Sequence, residues 1–78
     1  MVTPDSIKAS IAARIECDVV EVAGDRQHFE ALVVSPAFRG QSRLARHRLV
    51  YAALGDRMRA EIHALSMETR TPEEHARQ

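Results

Sequence analysis

The sequence predicts an α+β fold in which helices pack on one face of a three-stranded mixed sheet. Its 78 residues suit one small domain, expected to span 1–78, that buries only about 60% of its unfolded surface. Short β-branched runs and segments of helical periodicity follow one another in the order α, β, β, turn or short helix, α, β, α. Because a helix joins the second and third strands, these two strands are expected to pair in parallel.

The first element predicted is a helix that begins at Thr3-Pro4-Asp5. The Thr3 hydroxyl can accept from a free amide, Pro4 suits the first helical position, and Asp5 complements the helix dipole. An apolar edge is formed by isoleucines spaced four residues apart, Ile7, Ile11 and Ile15. The helix is expected to end near Glu16.

A short β-branched run, 19–22, and a second run, 28–34, predict a hairpin. Gly24-Asp25 supplies the turn chemistry between them. Pro36 closes the second strand, because proline has no amide to give to a sheet.

The longest patterned segment, from Phe38 to Met58, predicts a helix that begins near Gln41 or Ser42. At 100° per residue, an apolar stripe with a histidine in its middle is expected to face the core. Its members are Leu44, His47, Tyr51, Leu54 and Met58, with Val50 at the margin. The side expected to face solvent carries Arg46, Ala53, Asp56 and Arg57.

The C-terminal part predicts a third strand and a short helix. Alternation from Ile62 to Thr69 places His63, Leu65 and Met67 on one face of the strand. The tetrapeptide Thr71-Pro72-Glu73-Glu74 matches a capping box, so a last helix is expected to begin there and to fray by Gln78.

The overall composition indicates an ordinary globular protein of a reducing compartment. Hydrophobic residues make up 45% of the chain and charged residues 28%, with a formal net charge of zero. A single cysteine, Cys17, excludes an internal disulfide framework. The N-terminus lacks the pattern of a secretory signal, and the apolar runs fall short of the roughly 20 residues of a membrane span. A cytoplasmic location is therefore expected.

A local excess of positive charge marks the entrance of the long helix. No acidic residue occurs between Ala31 and Gly55, whereas four arginines do: Arg39, Arg43, Arg46 and Arg48. This surface is expected to bind either phosphate groups of a nucleic acid or an acidic partner protein. The nucleic-acid interpretation lacks the second glycine of a GxxG clamp, since the nearest segment is Gly40-Gln41-Ser42-Arg43.

The four histidines receive separate interpretations. His28, where the hairpin turn becomes a strand, is expected to be an accessible polar edge residue. His47 is expected to be a neutral core histidine bonded to a backbone carbonyl, and His75 to be exposed. His63 could be structural or a ligand.

No complete metal site or catalytic constellation is visible in the sequence. Structural zinc sites need four Cys or His ligands at recognisable spacings, and Cys17 has no CxxC partner, so a small buried thiol is the favoured interpretation. A centre completed by another molecule stays possible, for example an iron–sulfur cluster with two imidazoles from this chain and thiolates from a partner. No serine has an acid–base partner in its sequence context. An enzyme is therefore the weakest of three function classes, after a metal centre shared with a partner and a nucleic-acid-binding protein.

The chain as a whole resembles the BolA family, above all its small bacterial, IbaG-like branch. The motifs that carry the resemblance are His28-Phe29, the run from Val33-Val34-Ser35 to Phe38-x-Gly40, Arg46-His47-Arg48, Ile62-His63-Ala64 and Thr71-Pro72-x-Glu74. The resemblance implies a class II KH-like fold. His75 departs from the family pattern, in which tryptophan is usual, and this predicts a last helix that packs less.

The resemblance also implies a function without catalysis. BolA-like proteins pair with monothiol glutaredoxins and share a bridging [2Fe–2S] cluster, for which glutaredoxin and glutathione supply thiolates. Carried over by position, the metal ligands on this chain are His63 and His28, and His47 is structural or lies behind the ligands. The resemblance further implies a monomer that forms a heterodimer with its partner. The alternative is a DNA-binding, stress-response transcriptional regulator that uses Arg39, Arg43, Arg46 and Arg48.

Overall fold

The computed structural model describes residues 2–25, 28–60, 62 and 64–77. Its elements are helix α1 (Pro4–Arg14), strands β1 (Val19–Gly24) and β2 (His28–Val34), a 3-10 turn (Pro36–Phe38), helices α2 (Arg43–Leu54) and α3 (Arg57–Ala60), strand β3 (Ala64–Arg70) and helix α4 (Pro72–Ala76). This order confirms the predicted α+β succession. No helix in the described parts of the chain is long and apolar enough to cross a membrane.

The sheet has the strand order β1-β2-β3, so β2 lies at its centre and pairs with both other strands. Strand β1 runs antiparallel to β2 as the predicted hairpin. Strand β3 runs parallel to β2, from the pair His28 and Ala64 to the pair Val34 and Arg70, which confirms the predicted parallel pair.

Both terminal helices begin at the predicted capping residues. The Thr3 hydroxyl accepts from the Ser6 amide at 3.1 Å, and Ser6 Oγ accepts from the Thr3 amide at 3.0 Å. At α4 the same reciprocal pattern joins Thr71 and Glu74. Two amides that lack a partner inside the helix are therefore satisfied at each start.

The core lies between the helices and one face of the sheet. Fully buried Phe29 and Val33 of β2 meet Ile7 and Ile11 of α1 and Val50 of α2 in one apolar cluster. The opposite face of the sheet is open and carries exposed polar side chains, among them Glu21, Glu30, Ser66 and Glu68. The predicted packing of helices on a single face is therefore confirmed.

The predicted core stripe of the long helix is wrong in two of its members. Leu44 is 60% exposed and Tyr51 is 41% exposed, whereas Val50 and Ala53 are buried with Leu54. The helix wheel carries two apolar arcs, and contact with α1 selects the arc of small and β-branched side chains because it allows close approach. Arg46, predicted to face solvent, lies at the end of this buried arc.

The long helix is also shorter than predicted. Helix α2 ends at Leu54, and Gly55 follows with φ 58°, a left-handed conformation that stops the helix. Met58 belongs to the separate helix α3 and packs at the edge of the core.

Gly24 fixes the hairpin turn beside His28. Its φ is 138°, and a Cβ at this position would lie 2.3 Å from the His28 carbonyl oxygen and 2.7 Å from Phe29 Cα. Both neighbours are backbone atoms, so they cannot rotate away.

Gly24→Ala is expected to destabilise the protein by about 1–3 kcal/mol, because it adds both a strained backbone conformation and a backbone clash. Chemical unfolding followed by circular dichroism measures the change, and Gly40→Ala is the matched control. Gly40 also has a positive φ, of 74°, but its Cβ would meet nothing within 4 Å. Equal losses in the two variants would contradict the role of the Gly24 contact.

Candidate functional site

The first candidate region is the end of the sheet where β2 and β3 begin. His28 is exposed there, and its amide donates to Asp25 Oδ1 at 3.0 Å, while the Asp25 amide donates to the His28 carbonyl at 3.0 Å. These two bonds hold the His28 backbone at the base of the turn. The prediction that His28 is accessible is confirmed.

The parallel register places Ala64 opposite His28. His63, the other predicted ligand, lies outside the described residues and directly precedes Ala64 in the chain. The residue that follows one predicted ligand in the chain therefore pairs with the other predicted ligand, where β2 and β3 begin. We call this region, made of His28 and the start of β3 at Ala64, the histidine end.

Cys17 lies away from the histidine end. The neighbouring Asp18 amide donates to the carbonyl of Val34, which is the last residue of β2. The Cys17 Sγ donates to the Ile15 carbonyl at 3.2 Å, and burial raises the pKa of this thiol, with Asp18 adding to the effect. The thiol is half-buried and disfavours the thiolate that a metal needs, so a structural role is supported. Across the described residues, no three His, Cys, Asp or Glu side chains converge as a metal site.

The second candidate region is the opposite end of the sheet, near Thr69 and helix α4. Arg46 Nη1 donates to the Thr69 carbonyl at 3.3 Å, and Thr69 is the register partner of Val33. Val33 lies five positions after His28, so at about 3.3 Å per residue the two ends lie about 16 Å apart. We call the region of Arg39, Arg43, Arg46 and helix α4 the basic end.

Two of the four predicted surface arginines are engaged in ion pairs with α4. Arg39 donates to both carboxylate oxygens of Glu73, at 2.9 and 2.6 Å. Arg46 donates to Glu74 at 2.7 and 3.3 Å and also to the Gln41 carbonyl at 3.0 Å. The Arg46 side chain is only 13% exposed and its guanidinium lies 5.9 Å from the Phe38 ring centroid. The expectation of a four-arginine binding surface is therefore wrong for Arg46, which fills a structural position.

Arg43 and Arg48 remain exposed on α2. Neither has an ion-pair partner among the residues that the structure describes. Of the four predicted arginines, these two are therefore the main cationic side chains open to a partner. Arg39 is about half exposed, but it is paired with Glu73.

His47 and His75 both lie at the basic end and are half-buried. His47 lines a depression together with Arg43, Glu68 and Thr69, and it makes no hydrogen bond within the described part of the chain, so the expected bond to a backbone carbonyl is absent there. The Nδ1 atom of His75 lies 3.2 Å from Arg70 Nη1 and the residue is half-buried, so the prediction of an exposed His75 is wrong. Because His47 lies at the basic end, away from His28, a structural role for His47 is favoured.

Sequence reasoning did not find the carboxylates that position α4. The sequence assigns Glu73 and Glu74 to the capping box alone, although the segment 31–55 carries four arginines and no acidic residue. That charge asymmetry was the available signal. It could not show which arginine meets which glutamate, because the partners are 34 and 28 residues apart.

Acid is expected to weaken the ion pairs that attach α4 and so to lower the stability of the fold. Hydrogen bonds from Arg39 hold the pKa of Glu73 at about 2, and those from Arg46, with the Thr71 amide, hold the pKa of Glu74 at about 2, against 4.5 ordinarily. Depressed pKa values mean that these carboxylates stabilise the fold above pH 4.5 and lose this effect as the pH falls towards 2. Thermal midpoints measured at several pH values should decrease across this window. The double variant Glu73→Gln, Glu74→Gln should show a flatter pH dependence, and an unchanged slope would contradict the assignment.

Comparison with known proteins agrees with this architecture. The family model "BolA-like protein" matches residues 2–74. A solved structure of a BolA protein homologue from Coxiella burnetii superposes with a TM-score of 0.88 and 51% identity, over 97% of this chain and 99% of that one.

Two curated relatives match over shorter segments. BolA-like protein 1 of Homo sapiens is 49% identical over 49 residues, which cover 63% of this chain and 36% of the relative. The Escherichia coli protein named DNA-binding transcriptional regulator BolA is 38% identical over 52 residues, which cover 67% of this chain and 50% of the relative. The match thus spans between about a third and a half of these relatives.

The family match over nearly the whole chain, the superposition on the Coxiella burnetii structure and the parallel pairing of β2 with β3 all agree. The chain belongs to the BolA-like family.

Proposed function

We propose that this protein is a non-enzymatic adaptor that binds a monothiol glutaredoxin and shares a bridging [2Fe–2S] cluster with it. Its role would lie in iron–sulfur trafficking or iron homeostasis. The observation that carries the proposal is the register of the histidine end, where His28 is exposed and faces the residue that follows His63. Family membership adds support, because the family model covers both positions.

The donor chemistry of the histidine end fits such a cluster. His28 presents an exposed imidazole on a backbone held by two hydrogen bonds to Asp25, so its position is defined while its ring stays accessible to a partner. In this proposal His63 and His28 would hold the cluster on this side, and glutaredoxin and glutathione would supply the thiolates. Histidine in place of thiolate raises the reduction potential of a [2Fe–2S] cluster. The residues of this chain bind and orient, and none is assigned a step of catalysis.

The direct test combines the purified protein with a monothiol glutaredoxin, glutathione, ferrous iron and sulfide without oxygen. We expect a 1:1 heterodimer in native mass spectrometry and a visible circular dichroism spectrum different from that of the glutaredoxin alone. The isolated protein should stay colourless and monomeric under the same treatment. A stable chromophore in the isolated protein, or a glutaredoxin spectrum unchanged by its addition, would contradict the proposal.

The alternative function is nucleic-acid binding, which the name of the Escherichia coli relative favours. The structure leaves Arg43 and Arg48 available for phosphates, whereas Arg46 is engaged within the fold. With about two phosphate contacts, the logarithm of the binding constant should fall with the logarithm of salt concentration with a slope near −2. A much steeper slope together with sequence selectivity would favour the regulator over the adaptor.

A further inference from the structure

The outer face of α2 carries large side chains that the fold does not use. Leu44 is 60% exposed and Tyr51 is 41% exposed, and Arg48 is exposed between them. Their spacing of four and then three residues places them on one side of the helix over about 10 Å. We call these three residues the outer stripe. It lies on the side of α2 opposite the buried Val50 and Ala53.

The charge of the outer stripe identifies the chemistry of its occupant. Arg48 has no ion-pair partner in the described ranges, and no acidic residue occurs from 31 to 55. Tyrosine and arginine are the residues that most often dominate binding at protein interfaces. A ligand that covers Leu44 and Tyr51 with apolar groups and meets Arg48 with a carboxylate would complement the surface.

We propose that the outer stripe is a docking surface for a short, acidic, amphipathic segment of a protein partner. The proposal does not depend on the cluster, since it uses none of the residues of the histidine end. A second copy of this chain is a poor occupant, because a two-fold contact centred on the stripe would bring Arg48 against its own copy. The small area indicates a weak and reversible complex.

The probe is a synthetic amphipathic peptide of about 15 residues, long enough to form a helix, with leucines on one face and glutamates beside them. Titrated into the isotope-labelled full chain, it should shift the resonances of Leu44, Arg48 and Tyr51 while those of His28 stay unchanged. Two control peptides replace the glutamates with lysine or the leucines with serine, and both should bind much more weakly.

Variants on α2 separate the stripe from the rest of the helix. Arg48→Glu and Leu44→Ser should each weaken peptide binding about tenfold, the effect of losing one charged or buried contact. Leu49→Ser is the matched control, because Leu49 is 39% exposed on the same helix but lies off the stripe, and it should leave binding unchanged. Thermal midpoints show whether each variant is folded.

Several results would overturn the inference. They are the absence of shifts up to about 1 mM peptide, equal binding of the lysine peptide, or an equal loss in Leu49→Ser. Larger shifts of the stripe with duplex DNA would assign it to nucleic acid instead. Shifts that depend on protein concentration without peptide would assign it to self-association.

Discussion

Arg46→Ala is expected to lower the free energy of unfolding by about 2–3 kcal/mol, the largest stability effect among the arginines. The guanidinium, on a side chain that is only 13% exposed, donates to two backbone carbonyls and to Glu74. Its loss removes this donor from the Gln41 and Thr69 carbonyls and leaves the Glu74 carboxylate with the Thr71 amide. The side chain joins α2, the edge strand β3 and α4 in one contact.

Urea unfolding at neutral pH measures this effect. Arg43→Ala and Arg48→Ala are the matched controls, since both side chains are exposed on the same helix and should change stability by no more than about 0.5 kcal/mol. A loss in Arg46→Ala as small as in these controls would show that the contacts at Thr69 and Glu74 do not stabilise the fold. Because Arg46 is expected to stabilise the fold, replacing it by alanine together with Arg39 and Arg43 would change stability as well as partner binding.

His63→Ala is expected to abolish the cluster-bridged heterodimer, the largest functional effect. Loss of a metal ligand should exceed the roughly 10- to 100-fold cost of losing a residue that only supports a ligand. His28→Ala should give a milder defect, because His28 sits beside the Gly24-Asp25 turn, where water or a nearby group can replace the ring. Visible circular dichroism of the reconstituted pair with glutaredoxin measures both effects.

His75→Ala is the control for these histidine variants, because His75 lies beside Arg70 at the other end of β3. It should leave the cluster spectrum unchanged. If His63→Ala unfolds most of the protein while the remaining folded fraction still assembles a normal cluster, His63 is a core residue and not a ligand. Normal assembly in a stable His63→Ala variant would exclude the ligand role outright.

The two ends of the sheet divide the predicted functions between them. His28, which is proposed for cluster binding, begins β2 opposite Ala64 at the start of β3, whereas Arg39 and Arg46 lie about 16 Å away with α4. A stability change at the basic end and a ligand change at the histidine end should therefore be nearly additive in double variants, as distant sites usually are.

Local chemistry was sufficient for the starts of both terminal helices, for the two hairpin strands and for the turn between them. The capping sets at Thr3 and Thr71, the β-branched run of β1 and the turn at Gly24 each act through neighbours within a few residues, so the sequence alone determined them. The parallel pairing also followed, because a helix between two strands leaves that connection as the usual solution. Family motifs added His28 and His63 as candidate ligands.

Only the tertiary structure decided which side of α2 is buried and which charges meet. Both apolar arcs of the helix satisfy the same 3.6-residue period, and contact with α1 selected Val50 and Ala53 over Leu44 and Tyr51. Arg46 and Arg48 are the same residue type, lie two positions apart in one helix and cannot be distinguished by sequence pattern. One is nearly buried against Glu74 and Thr69 and the other is open to solvent, because ion pairs between distant segments depend on packing that periodicity does not encode.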